Sequence, residues 1–386
     1  MRRPDRTMRA AVLARWAVVA AVIVSTAGCA GWFGRSRRAA LPELPAPQGG
    51  VSVRAAWTVP LGRAGVGLAP VAAGDSLWAA AADGTVVRVD AGTGRVRWRI
   101  NVGKPIAAGV GSDGETAVVV TREGEVVALD GEGRPRWRTP VGTDVTTVPA
   151  VALGTVVLRG ADNRVVALDA DSGQRRWVVQ RPNPALVLRQ TAALAIGPET
   201  AYVGMPGGRL AAIALATGAP RWEVAIALPR GASEIERIAD IVGSPLVSGR
   251  EVCAVAYQGR IACVDAATGS QVWARDFSSS SGLEVDARLV VAADSDSRVH
   301  AFSRTGTSMW KQDRLAGRGV TAPLSVVDAM AVGDRLGLVH FLSRDTGALM
   351  ARVPTTGGAV IAPPLAVDQT VVVQTATGGL FAFRVE

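Results

Sequence analysis

Residues 165–177 read VVALDADSGQRRW, and this stretch contains every part of a pattern that recurs along the chain. Its first four residues are apolar and include two valines, which is typical of a β-strand. The aspartate that follows can accept hydrogen bonds from nearby backbone N–H groups, and the glycine can adopt a positive φ, so together they predict a tight turn. Trp177 then opens the next strand and offers a large flat surface for packing between sheets.

The same pattern returns at a period of about 42 residues, which indicates a repeat architecture. Its tryptophan occurs at Trp57, Trp98, Trp137, Trp177, Trp222, Trp273 and Trp310, and Ala351 stands at the eighth position. Short strands at this spacing, separated by Asp-Gly and Gly-Gly turns, predict the four-stranded blades of a β-propeller. Eight outer strands predict eight blades, with seven blades as the alternative.

The two ends of the chain predict how the ring closes. The last repeat stops after its third strand, at Gly378–Phe383, whereas Trp57 lies on a strand that no blade precedes. We therefore predict that Val51–Pro60 completes the last blade beside Leu380–Arg384, which leaves no unfinished edge. The predicted fold class is all-β: an eight-bladed propeller of four-stranded antiparallel blades over residues 51–386, closed by pairing of the N- and C-terminal strands.

The first fifty residues predict export from the cytoplasm. A basic segment, Met1–Arg15, precedes an uncharged and mostly apolar run, Trp16–Gly28, so residues 1–28 are predicted to be a secretory signal. Small residues directly before Cys29 resemble the lipobox of bacterial lipoproteins, in which the thiol receives a diacylglycerol. The resemblance implies an acylated Cys29 that anchors the protein to a membrane, followed by a flexible tether over residues 29–50. An ordinary signal peptide and an uncleaved anchor are the alternatives.

The charge distribution argues against a nucleic-acid partner. The formal net charge is +9, but eight arginines against two acidic residues in the first fifty positions account for most of it. The rest of the chain carries 34 basic and 31 acidic side chains, which is too even for a groove that follows a phosphate backbone.

Cys253 and Cys263 flank a predicted hairpin turn at Tyr257–Arg260. An exported protein can carry a disulfide bond. A three-residue loop would place both cysteines on one face of the sheet, and a two-residue loop would place them on opposite faces. The sequence leaves the bond open, and the simpler interpretation is two small apolar strand residues.

Two connections between repeats are longer than the others. Most tryptophan spacings are 37–41 residues, but the spacing from Trp177 to Trp222 is 45 and that from Trp222 to Trp273 is 51. The extra residues fall in Pro182–Leu194 and Gly231–Pro245, each after an outer strand, so both connections are predicted on one side of the ring. The second contains Ser-x-x-Glu at positions 233–236, the spacing of a capping box. Function usually lies in enlarged loops on a rigid scaffold.

The motif at Ala167–Trp177 resembles the repeat of quinoprotein (PQQ-type) propellers, and the resemblance covers essentially all of residues 51–386. A lipobox, a tether of about 20 residues and a single eight-bladed propeller together resemble the BamB family, lipoproteins of the outer-membrane β-barrel assembly machinery. This resemblance implies a non-catalytic scaffold without a cofactor or metal. It also implies attachment to the periplasmic face of the outer membrane and assistance in inserting β-barrel proteins.

The resemblance also implies a partner site. BamB proteins contact a POTRA domain of BamA, the barrel subunit, through a Leu-x-Leu-Arg motif that matches Leu186, Leu188 and Arg189. An acidic contact of the family corresponds to Asp240, whereas Val242 stands where a second acidic contact is found. Two leucine anchors with an arginine would form a small binding hot spot. From the residues alone, the alternative is that Leu186 and Leu188 pack beneath their own loop.

Other partners are less defined. Other subunits of the assembly complex are implied, whereas the POTRA domain contacted and direct binding of unfolded outer-membrane proteins stay open.

Two further function classes remain as alternatives, a PQQ-dependent dehydrogenase and a generic periplasmic binding propeller. Dehydrogenases of this repeat family use central Asp, Glu and Asn residues for calcium and catalysis, and many carry an adjacent cysteine pair, which this chain lacks. His300 and His340 occupy the same position of two repeats, so we predict repeat residues rather than ligands. Aromatic residues are 5% of the chain, and the repeat tryptophans leave few to line a sugar-binding groove. We therefore predict that the protein is not an enzyme.

Overall fold

The computed structural model describes residues 41, 43–182, 194–229, 231–233, 236 and 238–386. Within these residues, 32 strands form eight antiparallel sheets of four strands, and a short 3₁₀ helix spans Pro206–Gly208. The predicted eight-bladed propeller is confirmed. The unit that contains the ring is Glu43–Glu386.

The blades follow one another along the chain, and the strands of each run in order from the centre of the ring to its rim. Blades 1 to 4 consist of β2 (Val71–Ala73), β3 (Ser76–Ala80), β4 (Thr85–Asp90), β5 (Val96–Asn101); β6 (Ile106–Ser112), β7 (Ala117–Thr121), β8 (Glu125–Leu129), β9 (Pro135–Pro140); β10 (Ala150–Ala152), β11 (Thr155–Arg159), β12 (Val165–Asp169), β13 (Arg175–Val179); and β14 (Leu194–Ile196), β15 (Thr200–Met205), β16 (Arg209–Ala214), β17 (Pro220–Ala225). Blades 5 to 8 consist of β18 (Ile241–Ser248), β19 (Glu251–Ala256), β20 (Gly259–Asp265), β21 (Gln271–Phe277); β22 (Leu283–Val285), β23 (Leu289–Ala293), β24 (Val299–Ser303), β25 (Ser308–Gln312); β26 (Leu324–Val326), β27 (Ala329–Gly333), β28 (Leu338–Ser343), β29 (Leu349–Pro354); and β30 (Leu365–Val367), β31 (Thr370–Thr375), β32 (Gly379–Val385), β1 (Val53–Pro60).

The hydrophobic core lies between neighbouring blades. The second strand of a blade is covered on both faces, as in β7, whose residues AVVVT are all buried. The outer strand alternates instead, as in β9, where arginines point outward and Trp137 is half-buried against the neighbouring blade. A continuous apolar run therefore marks a strand inside the ring, and an alternating run marks the rim.

The repeated glycine and tryptophan are contact partners across neighbouring blades. The Trp98 indole N–H donates to the Gly131 carbonyl over 2.7 Å, and its ring lies so close to Gly133 that an added Cβ would be 2.9 Å away. Gly133 also has a φ of +82°, which side-chain-bearing residues rarely adopt. The same ring-to-glycine contact recurs as Trp57–Gly94, Trp137–Gly173, Trp177–Gly218, Trp222–Gly269, Trp273–Gly306 and Trp310–Gly347.

The ring closes as predicted. Strand β1 pairs with β32 from Val53 opposite Val385 to Pro60 opposite Gly379. The two outer strands of blade 8 thus come from opposite ends of the chain, and no turn joins them. A tryptophan in blade 7 would have no turn glycine to contact, which accounts for Ala351 at that position. Ala351 instead packs against the same core cluster as Val51 and Val53.

Residues 43–50, which are part of the predicted tether, contact blade 7. The Gln48 N–H donates to the Leu349 carbonyl over 2.8 Å, and the Gly49 N–H donates to the Met350 carbonyl over 3.2 Å. Leu44 packs against the core cluster that contains Leu349. The predicted signal and Cys29 lie outside the described residues. None of the described residues forms a helix long and apolar enough to cross a membrane.

Cys253 and Cys263 are joined in a disulfide bond, with 1.94 Å between the sulfur atoms. They lie directly opposite each other on β19 and β20, and both are fully buried. The pairing register corresponds to the three-residue loop that puts both side chains on one face. The interpretation as two unbonded apolar residues is therefore wrong.

Candidate functional site

Both enlarged connections leave the same face of the ring. One joins β13 to β14 and the other joins β17 to β18, so each leads from an outer strand to the first strand of the next blade. We call the side formed by these eight outer-to-inner connections the loop face. The opposite side, formed by the hairpins after each first strand and the Gly turns before each outer strand, is the turn face.

The second enlarged connection is fixed to the ring by the 3₁₀ helix of blade 4. The Gly208 carbonyl accepts hydrogen bonds from the N–H groups of Ile226 and Ala227, at 2.8 and 3.1 Å. A Cβ added at Gly208 would lie 2.6 Å from the Ala227 oxygen and 2.8 Å from the Ala239 oxygen. Only glycine therefore allows the start and the end of this connection to approach the same residue.

The predicted capping box is present in the same connection. The Ser233 N–H donates to the Glu236 carboxylate over 3.1 Å, and the Glu236 N–H donates to the Ser233 hydroxyl over 3.3 Å. Ala232 adds a second N–H to the carboxylate at 2.8 Å. The backbone donors of Ser233 and Ala232 hold the pKa of Glu236 below its usual value, so an ionised carboxylate sits on the exposed part of the connection.

Asp240 lies at the base of this connection, with 7% of its surface exposed. Its carboxylate accepts the Gly207 N–H over 2.9 Å, and its carbonyl accepts the Tyr257 N–H over 2.8 Å. Val242, two residues on, is 1% exposed and packs in the core with Cys253. Asp240 therefore ties the connection to blades 4 and 5, while Val242 belongs to the interior. The other predicted contact residues, Leu186, Leu188 and Arg189, lie outside the described residues.

The sequence did not predict that a residue of a neighbouring turn contacts this connection. The Gln258 carboxamide lies 3.1 and 3.0 Å from the carbonyl oxygens of Glu236 and Ile238, where its nitrogen donates to both. Gln258 has a φ of +48° in the turn between β19 and β20. A sequence signal exists only for the 3₁₀ helix, where Pro-Gly-Gly occupies the turn that is Asp-Gly in blade 1 and Glu-Gly in blade 2.

The connections of the loop face also surround a cavity of about 750 Å³ at the centre of the ring, which we call the central funnel. Its described lining residues are all uncharged, and the only side-chain oxygens among them are the hydroxyls of Ser244, Ser280, Ser281 and Thr321. Calcium takes six to eight oxygen ligands, with carboxylates prominent among them. These residues therefore do not fit a calcium-bound quinone cofactor.

Each of the two histidines contacts the aspartate of the turn that precedes it. His300 Nε2 lies 3.1 Å from an Asp294 oxygen, and His340 Nε2 lies 3.0 Å from an Asp334 oxygen. Each aspartate opens the turn six residues before its histidine. Burial alone would raise the pKa of Asp334, but hydrogen bonds from His340 and from the Leu338 N–H keep it below its usual value. This equivalence fits repeat residues rather than a metal centre.

One group of possible metal ligands occurs in the described part of the chain, formed by Glu251, Cys253 and Cys263. The disulfide bond occupies both of its sulfur atoms. The group is therefore not a thiolate metal site.

Comparison with known proteins identifies the family. The profile of a family described as outer membrane protein assembly factor BamB matches residues 82–312 and 295–386. A relative of the same name from Bordetella pertussis is 44% identical over 385 residues, 99% of this chain and 98% of the relative. The crystal structure of BamB from Moraxella catarrhalis superposes with a TM-score of 0.79 at 28% identity, covering 86% of this chain and 100% of that one.

The dehydrogenase alternative is supported by fold alone. A quinohemoprotein alcohol dehydrogenase from Comamonas testosteroni superposes with a TM-score of 0.67 at 15% identity, covering 86% of this chain and 76% of that one. The relative matched from end to end is named as an assembly factor instead, which confirms the prediction of a non-enzymatic protein with a role in outer-membrane protein assembly. Because the profile and this relative cover the propeller almost completely, the chain belongs to the BamB family of outer membrane protein assembly factors.

Proposed function

We propose that this protein is a lipid-anchored scaffold on the periplasmic face of the outer membrane. It binds the POTRA region of BamA through the loop face and so assists the insertion of β-barrel proteins. The observation that carries the proposal is that both oversized connections leave one face of an otherwise regular ring. The names of the relatives support the role in outer-membrane protein assembly.

The connection between β17 and β18 is suited to docking because its described residues are fixed to the ring before a partner arrives. Gly208, Asp240 and Gln258 attach it to the ring, and Ser233 and Glu236 bond to each other within it. A loop that is already ordered loses little conformational entropy on binding. We therefore expect Asp240 to act in docking mainly by positioning the connection, with the anchoring contacts made by Leu186, Leu188 and Arg189.

The combined variant Leu186→Ala, Leu188→Ala and Arg189→Glu is expected to lose measurable affinity for the POTRA array. Truncating a hot-spot residue typically costs about 2 kcal/mol, or roughly thirtyfold in Kd, and the charge reversal adds repulsion if the partner site is acidic. Calorimetric titration of the purified full-length protein with isolated POTRA domains measures the change.

The matched control is Leu153→Ala with Val327→Ala, which truncates two exposed apolar side chains on the turn face. Both variants should melt close to the parent, because all of their substitutions fall between strands, where substitutions usually change stability little. Parent-like POTRA affinity in the first variant would place the interface elsewhere on the propeller.

Replacement of Cys29 by serine is expected to release the protein from the membrane fraction or to leave it unprocessed, since serine cannot accept the thioether-linked lipid. Fractionation and intact mass of the expressed protein check this result. The double variant Cys253→Ser and Cys263→Ser is the control and should stay with the membrane. Unchanged fractionation and mass for Cys29→Ser would contradict the lipid anchor.

A further inference from the structure

The central funnel has a polarity pattern that POTRA docking does not use. Its hydroxyl-bearing residues all come from blades 5, 6 and 7, where one lies on β18 and the others lie in the connections before β22 and β26. They are Ser244, Ser280, Ser281 and Thr321. The lining from blades 8, 1, 2 and 3, on the other side of the ring, is formed by Val, Leu, Ile, Ala, Pro and Gly alone. The funnel thus has an apolar wall facing a hydroxyl wall.

We propose that the central funnel binds an extended, uncharged peptide segment of an unfolded outer-membrane protein, with alternating apolar and hydroxyl-type side chains. Successive side chains of an extended chain point in opposite directions. One set would pack on the apolar wall, which includes the exposed Val66 and the half-buried Val148 and Ile361, and the other would bond to the serines opposite. Strands of outer-membrane barrels have this alternation between a lipid-facing and a lumen-facing side.

The absence of charge from the described lining sets the chemistry of the occupant. A charged group buried without a partner loses its hydration and gains no ion pair, so the funnel disfavours acidic and basic segments. This argument also separates the funnel from an anion or nucleotide site, which would need cationic side chains or a helix N-terminus.

The hydroxyl wall includes a hydroxyl group that forms no hydrogen bond within the described residues. The Ser281 hydroxyl oxygen is buried and has no hydrogen-bond partner among the described residues, whereas Ser280 is exposed. An unsatisfied buried polar group costs about 1–3 kcal/mol, so a ligand that supplies a donor or acceptor here gains affinity. Serine reaches such a ligand by a change of one χ1 rotamer.

The walls of the funnel also contain many small residues. Gly67, Gly243 and Gly319 line the funnel, each with a positive φ, and Ala69, Ala322 and Ala362 are the next smallest lining residues. Small residues leave a volume of about 750 Å³, within the range of roughly 300–1,000 Å³ for sites that enclose a ligand. The proposal rests on the role in outer-membrane protein assembly, and it is independent of where the POTRA domain docks.

The test is fluorescence anisotropy with a capped seven-residue peptide of alternating Val and Thr, labelled with fluorescein and titrated with the full-length protein. We expect saturable binding, and at least about tenfold weaker binding when Lys or Glu replaces each Thr. Ser280→Asp and Ile361→Asp, one on each wall, should each weaken binding of the Val-Thr peptide by about tenfold. Leu153→Asp, on the exposed turn face, should bind like the parent.

The POTRA titration is run on the same variants and should be unchanged, which separates failure of this proposal from failure of the docking proposal. Ser280 is exposed, so its variant should fold even if Ile361→Asp does not. The proposal is overturned if the peptide does not bind or if the Ser280→Asp protein binds it like the parent. Two other outcomes would also overturn the proposal. If the protein binds the neutral dye Nile red but not the peptide, the occupant is a small apolar molecule. If the protein self-associates and this displaces the peptide, the occupant is a second copy of the chain.

Discussion

Deletion of Val51–Pro60 is expected to unfold the entire ring under conditions in which the parent protein is fully folded. The deletion removes β1, which supplies the outer strand of blade 8 and pairs with β32 along seven residue pairs. It also removes Trp57, whose indole N–H donates to the Ala91 carbonyl of blade 1 over 3.0 Å and whose ring contacts Gly94. Blade 8 would therefore lose both its edge and its packing against blade 1.

The expected loss is large compared with the stability of a typical domain. Burial of a large apolar side chain contributes about 1.5–3 kcal/mol, and the deletion removes the buried Val59 and the half-buried Trp57 together with a strand of backbone hydrogen bonds. We expect at least about 5 kcal/mol in the free energy of unfolding, against a usual total of about 5–15 kcal/mol. Urea unfolding followed by circular dichroism measures it.

Two point variants calibrate the deletion. Trp57→Ala should cost about 3–5 kcal/mol, since it leaves the blade 8–blade 1 junction without its aromatic contact. Thr58→Ser, at the exposed neighbouring position on β1, should be within about 0.5 kcal/mol of the parent. A deletion variant as stable as the parent would mean that β1 does not hold the ring closed.

The fold was predictable because the packing contact between blades is itself the repeat. A tryptophan of one blade lies on the turn glycine of the next, as with Trp98 and Gly133, so both residues recur at the same spacing as the blades. The one missing tryptophan, at Ala351, falls where the ring closes and no such turn exists. The number of blades and the position of the closure could therefore be predicted from the sequence.

The candidate site was less predictable because its contacts join residues that no local pattern links. Loop length placed the two long connections on one face, and Ser-x-x-Glu predicted the capping box. The bond from Gly207 to Asp240 and the contacts of Gln258 depend on how blades 4 and 5 lie side by side. The division of the central funnel into two walls likewise appears only when residues of seven blades are brought together in the ring.

Glu284→Gln is expected to stabilise the protein above neutral pH and to change little at pH 5. Glu284 lies on the first strand of blade 6, where its carboxylate is 3.4 Å from the Ser325 N–H of blade 7. Burial raises the pKa of Glu284 from 4.5 to about 7, and the negative charge of Asp286 adds to the rise. The side chain is thus held between two blades in a place that favours its neutral form.

The sign of the effect follows from proton binding. The folded protein keeps the Glu284 proton up to about pH 7, whereas the unfolded chain releases it near 4.5. Stability therefore falls as pH rises through this window, because folding then requires either proton uptake or burial of a charge. At about 1.4 kcal/mol per pKa unit, the full penalty reached above pH 7 is about 3 kcal/mol. Glutamine cannot ionise, so the variant does not carry the penalty.

Asp286→Asn is the matched control, and it should show the opposite sign. Burial alone would raise the pKa of Asp286, but its ion pair with Arg344, at 2.9 Å, and the backbone N–H of Arg288 hold the pKa below its usual value. Its charge therefore stabilises the folded state at pH 8, and asparagine should destabilise it there. Urea unfolding at pH 5 and pH 8 compares both variants with the parent. An equal change in stability at the two pH values would mean that the Glu284 carboxyl is not the group that titrates. Glutamine is more stabilising than glutamate only at a pH where the glutamate is ionised.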